Sequence, residues 1–146
     1  MNDIEVCAGH ASAEQVAEHL NLCDALFQPK LSSKVNIANY AKKLTDHALC
    51  LETWQQGTLV GLLCVYCNDP QNGAFVTNVS VVPDFQGRGI ASELLRNAIE
   101  TVREIGFDTL KLEVNETNIA AMRLYQQFGF VSEQVTSQST MMILNL

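Results

Sequence analysis

Apolar residues recur along this chain with two periods, and each change of period marks a new element. Ile4 to Ala8 reads as a short first strand. From Ser12 to Phe27, Val16, Leu20, Cys23 and Phe27 fall at helical spacing behind a serine able to cap the first turn. Pro29 interrupts the pattern. Val35, Ile37, Tyr40, Ala41 and Leu44 then predict a second helix over Ser33 to His47. Cys50 to Trp54 and Leu59 to Cys67 flank Gln55-Gln56-Gly57-Thr58, which predicts a hairpin. Asp69 to Gly73 is a loop by composition, and Ala74 to Val82 is the next strand. Ile90, Leu94, Ala98, Ile99, Val102 and Ile105 form one stripe of a helix that Gly106 ends. Thr109 to Val114 alternates as a strand. Asn118 to Phe128 is a shorter helix closed by Gly129, with Phe130 placed to pack back over its last turn. Val131 to Val135 and Met141 to Leu146 complete the chain as a hairpin or bent pair.

Strand, helix and strand between Ala74 and Val114 make a βαβ unit, whose strands run parallel with a right-handed crossover. The hairpins elsewhere are antiparallel. The expected class is therefore α+β, a three-layer αβα arrangement around a mixed, mostly antiparallel sheet. Its 146 residues fit one domain over 1–146, and no repeat or long Gly/Ser linker divides them.

Bulk chemistry narrows the function classes. The net charge of −7, from 9 basic and 16 acidic residues, argues against a nucleic-acid binder, which needs a basic face. No apolar run reaches the roughly 20 residues that cross a bilayer, so no membrane role is expected. The N-terminus lacks the basic and apolar regions of a signal peptide, which makes cytoplasmic the default location. Five scattered cysteines agree with a reducing compartment. Cys64-Val-Tyr-Cys67 has the spacing of a redox dithiol, but it lies in a strand pattern, where residues three apart face opposite ways. His10, His19 and His47 form no metal-ligand spacing with any cysteine, and no metal is expected.

The chemistry concentrates at Gln86-Gly87-Arg88-Gly89-Ile90-Ala91, where a strand gives way to a helix. The first N–H groups of a helix have no partners within it, and its dipole adds partial positive charge there. Glycines let a ligand approach the backbone, and Arg88 adds a full charge. Such a turn can hold a pyrophosphate; equally, it can be a glycine-assisted turn with no ligand. It lacks the lysine and Ser/Thr of a P-loop and the GxGxxG spacing of dinucleotide binders.

A second segment follows the next strand: Asn118, Ala121, Leu124-Tyr125, then Phe128-Gly129-Phe130. Q-x-x-G-x-G/A after one strand and N-x-x-A-x-x-L-Y-x-x-F/L-G-F after the next together resemble the GNAT superfamily of acyl-CoA-dependent N-acyltransferases. The resemblance spans Ala74 to about Val131. It implies a GNAT-like fold with a splayed parallel strand pair and acetyl-CoA as cosubstrate. It places the pyrophosphate on the amides of Gly87, Arg88, Gly89, Ile90, Ala91 and Ser92. It also places the pantetheine arm along Val79, Ser80 and Val81, where splayed strands leave backbone groups that an amide-bearing arm can satisfy. Ala91 stands where glycine is commoner in the family.

The same resemblance implies roles in catalysis. An amine attacking a thioester must be neutral, although an amine of pKa about 10.4 is mostly protonated at neutral pH. Tyr125 is the candidate acid for the departing sulfur, Asn118 binds the pantetheine arm or caps its helix, and Glu113 is the candidate base. Leu112-Glu113-Val114, with Asn118 and Leu124-Tyr125, matches the branch that acetylates N-termini of ribosomal proteins. Alternatively, Asn78 and Ser80, two apart on one strand face, hold a relay water. A backbone N–H near Val81 meets the oxyanion. In this family the acceptor is selected mainly by the first two helices and their loop, here Asp24 to Leu44. Pro29, Ser32, Ser33, Asn36, Asn39 and Tyr40 form an array suited to a polyol, sugar or peptide end. The expected acceptor is a small-molecule amine such as an amino sugar. The alternatives are a protein N-terminus or lysine, or a catalytically silent CoA-binding sensor. Exposed strand edges in the C-terminal segment are compatible with a homodimer.

Overall fold

The computed structural model describes residues 5–27 and 29–146. Its strands are β1 (Cys7–Ala8), β2 (Leu49–Gln55), β3 (Thr58–Tyr66), β4 (Ala74–Val81), β5 (Thr109–Asn115), β6 (Val131–Val135) and β7 (Ser139–Asn145). They form one sheet in the order β1-β2-β3-β4-β5-β7-β6. Only β4 and β5 are parallel; every other pair is antiparallel. The mixed sheet expected from the βαβ unit is thus present.

The helices are α1 (Ala13–Cys23), α2 (Ile37–His47), α3 (Ile90–Ile105) and α4 (Ile119–Gln127). Alternation along the strands divides the apolar side chains between two cores. Val16, Leu20, Ala41 and Leu44 of α1 and α2 pack on Leu62 and Cys64. Leu94, Ala98 and Val102 of α3, with Tyr125 of α4, pack on Leu63, Val65, Leu110 and Leu112. Helices therefore cover both sheet faces, the three layers anticipated.

Local chemistry explains most boundaries. Ser12 and Gln15 form a reciprocal capping box at the start of α1. Gln56 and Gly57, at φ 50° and 78°, turn the β2–β3 hairpin. After Gly129, Phe130 N–H returns to the Tyr125 carbonyl, and the two rings sit 5.9 Å apart.

Several boundaries differ from expectation. α1 ends at Cys23 rather than Phe27, passing into a single 3₁₀ turn over Asp24–Leu26. The Asp24 carboxylate there accepts from the Ser32 N–H at 2.8 Å and the Ser32 hydroxyl at 2.6 Å, tying down the connection to α2. α2 starts at Ile37 rather than Ser33, because Ser33 Oγ bonds the Lys30 carbonyl in a separate turn and Asn36 caps the helix. Of the predicted first strand, only Cys7–Ala8 is in the sheet; Ile4 lies outside the described residues. β7 begins at Ser139, two residues before the predicted Met141.

Two buried features had no sequence forecast. Glu52, 1% exposed, accepts from the backbone N–H groups of His10 and Ala11 and from Trp54 Nε1 at 2.9 Å. That carboxylate ties the approach to α1 onto β2. Cys50 and Cys64 face each other across β2 and β3 with sulfurs 3.3 Å apart. Cys67 instead packs against the core under α3, on the opposite face from Cys64. Opposite faces remove the Cys64–Cys67 dithiol, as strand alternation required.

Candidate active site

The β4–β5 ladder is short. Ala74, Phe75 and Val76 pair with Leu110, Lys111 and Leu112, and among the described residues no pairing between β4 and β5 continues beyond them. From Thr77 to Val81 the β5 side of β4 is open, so the strands diverge from a vertex at Val76. Strand alternation sets which backbone groups face that opening. Val82 N–H bonds the Val60 carbonyl on β3 at 2.9 Å. Val81 and Val79, one and three residues earlier, therefore turn their N–H groups towards the gap, whereas Ser80 turns its own to β3.

One register shift creates this geometry. Cys64 pairs with Asn78 but Val65 pairs with Val76, leaving Thr77 as an extra residue in β4. Tyr40 Oη satisfies the displaced Thr77 carbonyl at 3.1 Å. Burial pushes that phenol up to about 12, so it stays a donor.

The glycine turn lies at the far end of β4. Gly87 and Gly89 have φ of 77° and 79°, a conformation that costs other L-residues energy. Gly89 is the N-cap of α3 and has no side chain to occupy the helix's first N–H groups. Those of Ile90, Ala91 and Ser92 are thus left bare beside a cleft of about 190 Å³, which Val81, Phe85 and Gln86 also line. An added Cβ at Gly87 or Gly89 meets no protein atom within 4 Å, so their small size leaves room for something other than the chain. Gly61 on β3 works differently. A Cβ there would lie 2.6 Å from Ile90 Cγ2, so glycine lets the start of α3 dock close to the sheet. Arg88 is exposed, with its guanidinium 4.6 Å from the Phe85 ring centroid. Gln86 was not forecast as a site residue. Its side-chain amide donates to the Val81 carbonyl at 2.7 Å and straps the turn to the strand.

Tyr125 approaches from the α3 side and is 8% exposed. Burial pushes its phenol up to about 12, which keeps the proton on at neutral pH. Among the described residues the hydroxyl makes no hydrogen bond. Asn118 caps α4 through its side-chain oxygen, which accepts from Ala121 N–H at 3.2 Å. Its amide nitrogen remains available. Glu113 lies on the opposite face of β5 from Tyr125, since Leu112 and Val114 on either side belong to the α3 core. It is exposed and accepts from Ser139 Oγ at 3.0 Å. Asn78 and Ser80 do share a strand face, as alternation predicts, and Asn78 Nδ2 donates to Ser80 Oγ at 2.9 Å. Among the described residues, no group of three His, Cys, Asp or Glu side chains could hold a metal ion.

The divergent strands, bare helix start and buried tyrosine coincide with a match to the acetyltransferase (GNAT) family over residues 13–130. The chain belongs to that family. It is 30% identical over 116 residues to the N-alpha-acetyltransferase MAK3 of Arabidopsis thaliana, covering 77% of this chain and 61% of that protein. Over 57 residues, 39% of this chain and 38% of the relative, it is 44% identical to the [Ribosomal protein bS18]-alanine N-acetyltransferase of Salmonella typhimurium. Among solved folds, a Bacillus subtilis acetyltransferase in complex with CoA aligns with a TM-score of 0.77 at 19% identity, over 99% of both chains. The ribosomal-protein-S18-alanine N-acetyltransferase of Escherichia coli aligns with a TM-score of 0.73 at 21% identity, over 97% and 94%. Within the described residues no helix is long and apolar enough to cross a membrane.

For this GNAT member, the polar array of the α1–α2 segment is mostly consumed by the scaffold. Ser32 bonds Asp24, Ser33 bonds Lys30, Asn36 caps α2, and Tyr40 holds the β4 bulge. Pro29, Ser32, Ser33, Asn36 and Asn39 are all exposed, and Asn39 is the polar member whose side chain makes no hydrogen bond among the described residues.

Proposed function

We propose that this chain transfers the acetyl group of acetyl-CoA to a primary amine by direct attack within a ternary complex. The observation that carries the reading is the open edge of β4 running from a vertex at Val76 to the bare amides at the start of α3. A pyrophosphate on Gly87 to Ser92 anchors one end, with Arg88 contributing charge. The pantetheine arm then runs back along Val79, Ser80 and Val81, pairing with the outward N–H groups, and Asn118 binds it from the start of α4. That path sets the thioester close to the vertex. A backbone N–H on this edge, from Val79 or Val81, meets the developing oxyanion.

Acid and base then work from opposite faces of β5. The amine nitrogen bonds to the carbonyl carbon, the carbon–sulfur bond breaks, and Tyr125 gives its proton to the departing sulfur. Glu113 takes the amine proton from the other side. The scaffold role of Ser32, Ser33, Asn36 and Tyr40 weakens the case for an amino-sugar acceptor. The two named relatives act on α-amines by their names, and they favour a peptide N-terminus as the acceptor here.

Thiol release from acetyl-CoA, measured across amino sugars, polyamines, a lysine-containing peptide and an Ala-initiated hexapeptide, tests this reading. Turnover is expected with the hexapeptide. Turnover confined to amino sugars returns the acceptor to a small metabolite. Tight acetyl-CoA binding without turnover on any amine makes the chain a CoA-binding sensor. Glu113→Gln is expected to lower kcat/KM about tenfold or more at neutral pH, with acetyl-CoA affinity unchanged. An unaltered rate would transfer the base role to a water held by Asn78 and Ser80.

A further inference from the structure

Three polar side chains are buried where α1 crosses β4: His19 at 1% exposure, Asn78 at 5% and Ser80 at 7%. They form a single chain of hydrogen bonds. His19 Nδ1 lies 2.8 Å from the Leu59 carbonyl, and His19 Nε2 lies 2.8 Å from Ser80 Oγ. Asn78 Nδ2 reaches the same Ser80 Oγ at 2.9 Å and the Leu62 carbonyl at 3.4 Å.

The 2.8 Å contact with the Leu59 carbonyl sets the direction of the chain. A carbonyl only accepts, so Nδ1 must carry the imidazole proton. Burial holds His19 below its ordinary value and hence neutral, which leaves Nε2 bare as an acceptor. Ser80 must then donate its hydroxyl proton to His19, and its oxygen is left to accept from Asn78 Nδ2. Burial raises the Cys23 thiol to about 11 and keeps it protonated, so Cys23 Sγ, 3.7 Å from His19 Nε2, can add only a long, weak second donor there and puts no proton on Nε2. The Leu62 carbonyl pulls the Asn78 amide the same way, but at 3.4 Å it is the weaker of the two anchors.

Both Asn78 Nδ2 protons are therefore spent within the chain, and Oδ1 is left over. Among the described residues the fully buried side-chain polar atoms lacking a partner are Thr53 Oγ1 and Tyr66 Oη. Asn78 Oδ1 is not one of them and takes no hydrogen bond, so it keeps contact with solvent. Asn78 lies two residues past the vertex at Val76, on the sheet face opposite the Tyr125 core and shared with Glu113.

We infer that Asn78 Oδ1 binds the N–H of the incoming amine and that His19 is a positioning residue that turns Asn78 to do so. This rests on the acetyl-transfer reading above. An amine held by Oδ1 faces the thioester with its lone pair, while Glu113 on the same face is placed to take its other proton. Neither imidazole nor serine exchanges a proton with substrate; they fix which end of the carboxamide points outward.

Two substitutions at His19 separate the bonds. His19→Gln keeps an acceptor within reach of Ser80, whereas His19→Asn, one atom shorter, keeps only the donor to Leu59. Long-range ¹⁵N–¹H spectra of the wild-type protein are expected to place the His19 proton on Nδ1. Slow exchange is expected for the Asn78 side-chain amide protons, retained in His19→Gln and lost in His19→Asn. With the Ala-initiated hexapeptide, His19→Asn is expected to lower kcat/KM about tenfold and His19→Gln less than about threefold, while acetyl-CoA affinity holds. In an Asn78→Leu background, His19→Asn should cost nothing further. An Nε2 proton in the wild type, or equal damage from both His19 variants, overturns the inference. Failure to bind acetyl-CoA at all would instead sink the acetyl-transfer reading. If acetyl-CoA binds but the hexapeptide is not acetylated, the acceptor class fails and the spectra alone decide the role of His19.

Discussion

Gly89→Asp is expected to raise the acetyl-CoA dissociation constant about a hundredfold, the largest effect of any single change on cofactor binding. Three features combine at this position. Gly89 caps α3 without a side chain, so its neighbours' N–H groups face outward. Its φ of 79° suits glycine, and aspartate tolerates that region at about 1 kcal/mol. Most of the loss comes from charge: a carboxylate within a few ångströms of phosphate oxygens at a protein surface is repelled by several kcal/mol before screening. A hundredfold loss corresponds to about 2.7 kcal/mol, well within that range. The chain itself does not object, since an added Cβ meets no protein atom within 4 Å. Gly89→Ala is the matched control, carrying the backbone strain without the charge, and should lose less than about tenfold. Calorimetric titration with acetyl-CoA reads both values. Equal affinities in wild type and Gly89→Asp would remove the pyrophosphate from this turn.

Tyr125→Phe is expected to lower kcat by about 10²–10³, the range for a positioned general acid, while acetyl-CoA affinity changes by less than about threefold. The separation follows from the environment of the ring. The hydroxyl has no partner among the described residues, so its removal leaves no buried group orphaned. The ring keeps its place in the core and its contact with Phe130 at 5.9 Å. A phenol raised to about 12 by burial is fully protonated across the working range, so the loss should be constant between about pH 6 and 9. Losses shared equally between kcat and affinity would make Tyr125 a packing residue.

What the sequence disclosed, and what it hid, follows the range of the interactions involved. The capping box at Ser12 and Gln15, the Gln56-Gly57 turn and the closure of α4 by Gly129 rest on neighbours within a few residues. The glycine turn was legible for the same reason, whereas the parallel pairing of Ala74–Val76 with Leu110–Leu112 followed from the βαβ crossover and not from local contacts. Helix boundaries failed where side chains competed with the backbone. Ser33 was the expected start of α2, yet Ser32 and Ser33 bond Asp24 and Lys30 in a separate turn and the helix begins at Ile37. The bulge at Thr77 left no trace, because it depends on register with β3.

The pairing of His19 with Ser80 spans 61 positions and could not be read from either residue alone. A weaker signal was present nonetheless. His19 stands three residues after Val16 and four before Cys23, on the apolar stripe of α1, where a polar ring must find partners. Glu52 and the facing sulfurs of Cys50 and Cys64 lie where β2 and β3 are buried on both faces, and nothing local in either strand names their partners.

The amides opening α3 are expected to hold the cofactor's pyrophosphate at the end of the divergent β4 edge. A crystal structure of the complex with acetyl-CoA measures this directly. Phosphate oxygens are expected within about 3 Å of backbone nitrogens between Gly87 and Ser92, with the arm's amides paired to Val79 and Val81. A pyrophosphate bound elsewhere, with those nitrogens facing only water, would contradict it.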